Sequence, residues 1–373
     1  MNIAFDGSSL LIAPLTGVGN YVQQLLTHLL AEDRDNAYTL LAHRGSEFTL
    51  GLSANPNARL ARRYFPNRLI WTQVILPVAL NSLDVDIAHF PNFVAPLATR
   101  VPFVVTIHDL ALISSPHLFT LRQRAFMRPL IKPTIRRARA ILTVSEASKR
   151  DLVEQFGLES ESVHVTYEAA APVFHQVPDD GESERRLSPY GWDPTARHLL
   201  YVGTLEPRKN LVRLLHALRQ LHQRGCRAHL WLVGQRGLGA ESIVRAIREL
   251  DLSAFVHITE FVPLADLRAF YHLCDAFVLP SLYEGFGLPV LEALAGGVPS
   301  AVSRIPALTE ILGDAGLLFD PMSVESIADA LLRILTDPQY AGELTRRARA
   351  RASAFSWEET ARKTLAVYQS VAA

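Results

Sequence analysis

The chain has 373 residues, 49% of them apolar, and its 37 lysines and arginines equal its 37 aspartates and glutamates. This is more chain than one ordinary core uses, so two domains are expected, and zero net charge argues against a protein built for non-specific nucleic-acid binding. Two cysteines make no disulfide framework or metal-site spacing, the start "MNIAFDGSSLL" lacks a signal-peptide pattern, and no stretch reaches the roughly 18 apolar residues of a membrane span, so a reducing, cytoplasmic setting is expected.

In chain order, "MNIAFDG" predicts a strand, and "NYVQQLLTHLLAE" carries apolar residues at helical spacing. "AYTLLAH", "VDIAHFP", "PFVVTIHD" and "AILTVS" are strand-like, and "VHVTY" closes this half. Between the last two, "EASKRDLVEQFG" predicts a helix with Ser145 as N-cap and Gly157 just past its end. The polar stretch His175 to His198, with Pro, Gly and mixed charge, reads as a linker or surface segment. Alternation resumes with "LLYVGTL", "AHLWLVG", "VHITEFV", "AFVLPS", "PSAVS" and "AGLLFD", separated by helices such as "NLVRLLHALRQLHQRG". Cys274 lies in the apolar "YHLCDAFVLP", which points to a buried thiol. The end, "FSWEETARKTLAVYQSVAA", predicts a helix capped by Ser356, with Glu359 as capping-box partner and Trp357 as an apolar anchor.

Such alternation implies βαβ units and parallel sheets. The expected fold is α/β: two doubly wound, Rossmann-like domains, 1–180 and 181–355, and a C-terminal helix, 356–373. Open sheets of this kind bind ligands beyond the carboxyl ends of their strands. Two facing sheets would therefore enclose a cleft lined by the motifs that follow strands.

"SLYEGFGLPVLEALAGG" (Ser281 to Gly297) is the most informative of these motifs. Gly285 and Gly287 make a bend after a strand, and Pro289 suits the first position of a helix. The helix N-terminus is a site for an anion, most naturally a phosphate. Glu284, before the helix, and Glu292, read as within its first turn, are carboxylates placed to accept sugar hydroxyls; the alternative is two ordinary surface glutamates. In "YVGTLEPRKNL", Gly203 permits close approach, and Arg208 and Lys209 would neutralise a diphosphate, unless they are simply a solvated basic pair. In "PLTGVGNYV", Gly17 and Gly19 are read as a bend ahead of a helix, which either meets a phosphate or only turns the chain. Neither a complete dinucleotide fingerprint nor a G-x-x-x-x-G-K-[ST] loop is present. "VVTIHDL" places His108 and Asp109 at a strand's carboxyl end, and "AHFPN" places His89 similarly; each histidine is either structural or functional.

The Glu-x7-Glu stretch, "YVGTLEPRKNL", the "IHD" strand end, "VSEASKRDL" and "PALTEILGDAGLLFDP" together resemble the retaining glycosyltransferase family 4. The resemblance runs nearly end to end and is most specific over Tyr201–Pro321. It implies the GT-B fold, with an acceptor-side first domain, a nucleotide-sugar-binding second domain and a C-terminal helix packing back on the first. It also implies roles. Glu284 would contact the donor sugar and Glu292 the ribose hydroxyls. The backbone of Gly285, Phe286, Gly287 and Leu288 would approach sugar and diphosphate. Arg208 and Lys209 would hold the diphosphate with Gly203 and Thr204. Gly17, Val18 and Gly19 would lie beside the phosphates, and His108 near the sugar's reacting face. The nucleobase would lie near Ile258–Pro263, which includes Phe261. No metal and no cofactor beyond the nucleotide-sugar co-substrate is implied; the "DVD" at Asp84–Asp86 reads as the polar start of a strand. Three departures stand out. Thr204 replaces a common arginine, "TGVG" has one glycine fewer than the commoner form, and "VTYEAAAPVF" replaces an Asn-Gly turn.

The expected activity is retaining hexosyl transfer, with mannose from GDP-mannose as the family-based donor, to a growing, lipid-linked surface glycan such as an O-antigen. A nucleotide-sugar 2-epimerase of the same fold, a silent partner in polysaccharide assembly and a pyridoxal-dependent phosphorylase are the rivals. Residues 121–140 hold seven Lys/Arg and no acid around Phe126, Met127, Leu130 and Ile131. They are either a peripheral contact with an anionic membrane on its cytoplasmic face or a basic helical surface over a packed stripe, and Pro129 and Pro133 make one continuous helix doubtful.

Overall fold

Short apolar runs become strands because helices cover both faces of each sheet. The computed structural model describes residues 1–11, 17–43, 55–63, 67–114, 116 and 119–372. It divides into two units, Met1–Glu168 with Ser356–Ala373, and Ala169–Phe355.

The first unit's sheet contains β1 (Asn2–Asp6), β2 (Ala37–His43), β3 (Ala58–Arg63), β4 (Ile87–Phe90), β5 (Phe103–Ile107), β6 (Ala140–Thr143) and β7 (Val163–Val165). Their order is β3-β2-β1-β4-β5-β6-β7, and all pairings are parallel. Right-handed crossovers send the helix Gly17–Glu32 to one face and the helices after β3, β5 and β6 to the other. On that second face Trp71, Leu76, Leu80, Ile131, Ile135 and Leu152 share one core with the sheet. The strand β3 was not foreseen: "ARLARR" is basic and has no buried residue, as suits an edge strand that must not recruit another chain.

Local signals explain the helix ends. Ser145 Oγ accepts the Ser148 N–H at 3.0 Å, and Gly157 closes the same helix at φ 64°. Before Pro77, which has no N–H, Trp71–Ile75 forms a wider π turn in which Leu76 N–H bonds the Trp71 carbonyl. The C-terminal helix Trp357–Ala372 belongs to the first unit, as the resemblance implied. It packs on Gly17–Glu32, with Trp357 2% exposed, and Tyr368 Oη lies 2.6 Å from His89 Nδ1. Ser356 Oγ does accept the Glu359 N–H at 3.1 Å, but the Glu359 carboxylate turns to Arg362.

The second unit's sheet contains β8 (Arg197–Val202), β9 (Ala228–Val233), β10 (Val256–Glu260), β11 (Ala276–Leu279), β12 (Ser300–Ser303) and β13 (Leu317–Phe319). Their order is β10-β9-β8-β11-β12-β13, again parallel throughout. The stretch 175–198, read as a linker or surface segment, is an ordered surface segment of this unit. It forms the helix Asp180–Leu187 and seats Leu187 and Trp192 in the core, while Tyr190 Oη donates to Asp266 at 2.8 Å. Its polar composition reflects one solvated face, and the buried residues are too few to set a periodic signal.

Trp192 stacks on His198 and Trp231, and Trp231 stacks on His257, which meets His229 Nδ1 at 2.9 Å. Burial, followed by the neighbouring imidazoles, lowers the pKa of His257 to about 4. An unfolded chain therefore takes up this proton near 6.5 and the folded one only near 4, so stability is complete above 6.5 and falls with pH between those values. Allowing for partial exposure, His257→Gln should remove about 1–2 kcal/mol of the acid-dependent loss, read from thermal melts between pH 7 and pH 4.

Candidate active site

The order of the second sheet reverses between β8 and β11, so the loops leaving these two strands diverge and form a crevice. Both strong motifs occupy these loops. After β8 the backbone passes Gly203 at φ 149° and a 3₁₀ turn, Pro207–Lys209. The β8 and β9 loops touch so closely that a Cβ on Gly234 would sit 2.1 Å from the Gly203 carbonyl oxygen. After β11 the chain runs from Pro280 to Gly287, whose φ of 107° opens the helix Leu288–Gly296. A Cβ on Gly287 would lie 2.5 Å from Leu308 Cδ2, so the bend requires glycine.

These loops bring Arg208, Lys209 and Glu284 together. Lys209 Nζ donates to Glu284 Oε1 at 2.6 Å and Arg208 Nη1 to Oε2 at 3.0 Å. Arg208 also donates to the Tyr283 carbonyl at 2.9 Å and through Nη2 to Glu206 Oε1 at 2.9 Å. Ser281 Oγ donates to Glu284 Oε1 at 2.6 Å. Burial raises the Glu284 pKa, but the charges of Lys209 and Arg208 and the hydrogen bonds from Lys209 and Ser281 outweigh it and hold the carboxyl at about 2. Two cations thus face two carboxylates. An ammonium has three N–H donors, so Lys209 can hold Glu284 and still turn an N–H toward an anion, while Arg208 also donates through Nε to Glu206 at 3.1 Å.

Asn210, Ser281, Glu206 and Tyr271 were not singled out from sequence. Asn210 sits at φ 60° and is buried, and its amide donates to the Pro280 carbonyl at 3.0 Å and the Pro321 carbonyl at 2.8 Å. It therefore ties the β8, β11 and β13 loops together immediately after the basic pair. Leu282 N–H adds a bond to the Arg208 carbonyl at 2.9 Å. Only adjacency to the "RKN" run marked Asn210 in the sequence.

Glu292 lies in the second turn of its helix, a correction to the first-turn expectation, because the helix begins at Leu288. It is 8% exposed and accepts the Tyr271 hydroxyl at 2.9 Å, which joins it to the helix Leu264–Leu273 that follows β10. Burial and then the Glu292 charge push the Tyr271 phenol pKa far up, so it stays a donor. Gly285 and Phe286 are buried, Leu288 is half-buried, and Thr204 is exposed, its carbonyl accepting the Tyr201 hydroxyl at 3.0 Å. Phe261, on the loop after β10, is exposed.

In the first unit, Gly17, Val18 and Gly19 are the first turn of the helix Gly17–Glu32 and not a bend ahead of it. The preceding Pro14–Thr16 lies outside the described residues. His108 is buried at the end of β5. Its Nε2 lies 3.0 Å from the Pro91 carbonyl, to which it must donate, and Nδ1 lies 3.4 Å from Glu168 Oε1. Glu168, in the stretch where the sequence departs from the family pattern, was not foreseen as its partner. His89 resolves as structural: it bonds Tyr368 and Thr106, and burial, then the nearby His108, lowers its pKa to about 3. Cys274 is buried, and burial raises its thiol pKa. Asp86 and Asp84 bind the backbone and side chain of Asn2 beside β4. Among the described residues no three His, Cys, Asp or Glu side chains are grouped as metal ligands.

Residues 183–352 match the profile of glycosyl transferases group 1, and residues 15–169 match glycosyltransferase family 4. The O-antigen chain mannosyltransferase B of Escherichia coli is 31% identical over 380 residues, covering 95% of this chain and 96% of that protein. The chain belongs to glycosyltransferase family 4. A second relative of this glycosyltransferase, the MMP alpha-(1->4)-mannosyltransferase of Mycolicibacterium hassiacum, is 31% identical over 64% of the chain and 56% of that protein. In fold, the glycosyltransferase superposes on sucrose-phosphate synthase from Thermosynechococcus elongatus with a TM-score of 0.79 at 21% identity, over 100% of this chain and 99% of the other. The two doubly wound units are those of the GT-B fold.

Proposed function

We propose that this glycosyltransferase transfers mannose, from GDP-mannose and with retention, to a growing lipid-linked surface glycan such as an O-antigen. The observation that carries the reading is the Arg208–Lys209–Glu284 cluster at the strand-order reversal of the second unit. The choice of mannose and of a surface glycan is supported by the mannosyltransferases it resembles.

Breaking the anomeric C1–O bond leaves growing negative charge on the nucleoside diphosphate and an oxocarbenium-like sugar. Arg208, Lys209 and the N-terminus of Leu288–Gly296 are the donors proposed to meet that charge, and Gly17–Gly19 is a further candidate from the first unit. The acceptor oxygen forms the new C1–O bond on the face the diphosphate leaves. Its proton passes to the departing phosphate oxygen, so no side-chain nucleophile is needed. Glu292 is assigned to the ribose hydroxyls, Glu284 to the donor sugar and to holding the basic pair, and Phe261 to the neighbourhood of the base. His108, with Nε2 committed to Pro91 and Nδ1 facing Glu168, is proposed to shape the sugar's surroundings and not to act as a base. The diphosphate charge is offset by these side chains, so a divalent metal is not required.

The test is a transfer assay with radiolabelled GDP-mannose, UDP-glucose and ADP-glucose in the presence of chelator. Glycan labelling from GDP-mannose alone is the expected result. Labelling from another donor would replace the substrate assignment. Donor turnover to an epimer without acceptor would establish the epimerase reading instead.

A further inference from the structure

Glu168 is a buried carboxylate that the proposed reaction does not use. It is 6% exposed, and among the described residues its one ion partner is His108, itself 8% exposed. His108 follows β5 and Glu168 lies three residues past β7, so the pair reaches across the end of β6. This is the carboxyl end of the first sheet, where open sheets of this kind take their ligands.

Both ends of this contact are held. Thr166 N–H donates to the Thr143 carbonyl at 2.8 Å, and the Tyr167 carbonyl accepts the Thr360 hydroxyl, which fixes the two residues before Glu168. Ser148 Oγ donates to the His108 carbonyl at 3.2 Å, and His108 Nε2 donates to the Pro91 carbonyl at 3.0 Å. The turn that presents Pro91 is itself constrained. Phe93 sits at φ 64°, where bulky residues are rare, and its N–H bonds the Thr106 carbonyl at 3.0 Å. Such conformations persist where the surroundings over-determine them, and they cluster at functional sites.

Two rings pack on the imidazole. Phe93 lies 5.8 Å away at 54°, and Tyr21 meets it edge-on at 4.7 Å and 88°. Tyr21 is one turn beyond Gly17, on the helix whose first turn is Gly17–Gly19, and its hydroxyl lies 3.2 Å from Thr106 Oγ1. With Nε2 donating to Pro91, Nδ1 presents either a proton or a lone pair to Glu168. A lone pair facing a carboxylate at 3.4 Å would repel it, so one proton lies between Nδ1 and Glu168, on one atom or the other. A single hydrogen bond leaves a ring able to tilt about it, and a partner at the other nitrogen fixes its plane and tautomer.

We infer that Glu168 is a positioning residue for sugar transfer. It holds the His108 ring in one orientation against Tyr21, and through Tyr21 it steadies the helix turn Gly17–Gly19. Glu168 itself touches neither sugar nor diphosphate. The inference rests on the proposed function, which puts His108 beside the sugar and Gly17–Gly19 near the phosphates. A misplacement of about 1 Å in such surroundings can cost about 10²-fold in rate.

The test is mannosyl transfer to a soluble acceptor analogue, run beside thermal melts and imidazole NMR spectra of the isotope-labelled full chain. Glu168→Ala should lower kcat by about 10–100-fold while the donor KM changes less than about threefold. Glu168→Gln, equal in length and able to hold Nδ1 through its amide, should return kcat to within about fivefold of the wild type. Glu168→Asp, one methylene shorter, should behave like the alanine variant, and it carries the test if that variant fails to fold. The His108 ring signals, single in the wild type and in Glu168→Gln, should broaden or split in the other two. Wild-type kcat in the folded alanine or aspartate variant overturns the inference. So does a glutamine variant as slow as the alanine one, since the charge and not the hold on the ring would then act. A loss of activity that only follows the unfolded fraction also overturns it and leaves a purely structural ion pair. A wild type that transfers nothing from GDP-mannose, UDP-glucose or ADP-glucose removes the transferase reading by itself. The ring signals then decide: broadening in Glu168→Ala and Glu168→Asp supports the hold on His108, and unchanged signals overturn it.

Discussion

Lys209→Ala is expected to lower kcat/KM for sugar transfer by about 10²–10³-fold, the usual cost of removing one donor aimed at charge that develops in the transition state. The loss should fall mainly on kcat, because the leaving diphosphate gains charge as C1–O breaks and the ammonium meets that gain more than it meets bound substrate. Folding should suffer less than in the loss of Glu284 itself. Arg208 and Ser281 still hold Glu284 through hydrogen bonds of 3.0 Å and 2.6 Å. Steady-state kinetics beside a thermal melt separate the two effects. A variant with near-normal kcat/KM would remove Lys209 from the reaction.

Glu284→Gln should affect stability and activity together. The carboxylate is 9% exposed and compensates two cations that are themselves only 16% and 13% exposed. Removing one partner of such a buried cluster typically costs about 3–5 kcal/mol, and the amide recovers part of it by accepting one bond. Activity should fall by about 10²-fold, since Arg208 and Lys209 lose the group that sets their positions. The pH dependence identifies the cause. The Glu284 pKa is 4.5 in its ordinary setting and about 2 in the folded protein. Its contribution, about 3 kcal/mol, is therefore complete above pH 4.5 and disappears as pH falls toward 2. Denaturant melts of the wild type should lose that amount between pH 5 and pH 2 relative to Glu284→Gln. Parallel losses in the two proteins would mean that Glu284 is not the strongly paired group described above.

The strands were legible where the signal was hydrophobic. Runs such as "FVVTI" and "AFVL" are buried on both faces, and nothing but a parallel sheet suits them. β3 was not legible, because an edge strand rich in arginine carries neither an apolar run nor a strict alternation toward a core. For the segment 175–198 the linker and surface readings stayed open for a related reason: its few buried residues sit in a polar stretch. At the candidate site, the motifs and the family resemblance they carry singled out Glu284, Arg208 and Lys209, which the fold brings together. Their mutual pairing was not legible. The sequence reading aimed both cations at a phosphate, whereas the fold also sets them against Glu284, because the loops after β8 and β11 are adjacent only in the finished sheet. Asn210 and Glu168 went unseen for the same reason. Their partners, Pro280, Pro321 and His108, are 70, 111 and 60 residues away in the chain and come near only on folding. The Gly17–Gly19 turn was placed outside the helix because glycine is a poor helix former; the first turn tolerates it.

The central claim is that the loops after β8 and β11 bind the diphosphate of a nucleotide sugar. Calorimetric titration of GDP and of guanosine into the wild type and Lys209→Ala, with chelator present, tests it most directly. The account predicts GDP binding at least about tenfold tighter than guanosine, with most of that difference lost in Lys209→Ala. Equal affinity for GDP and guanosine, or a diphosphate preference that survives the substitution, would contradict it.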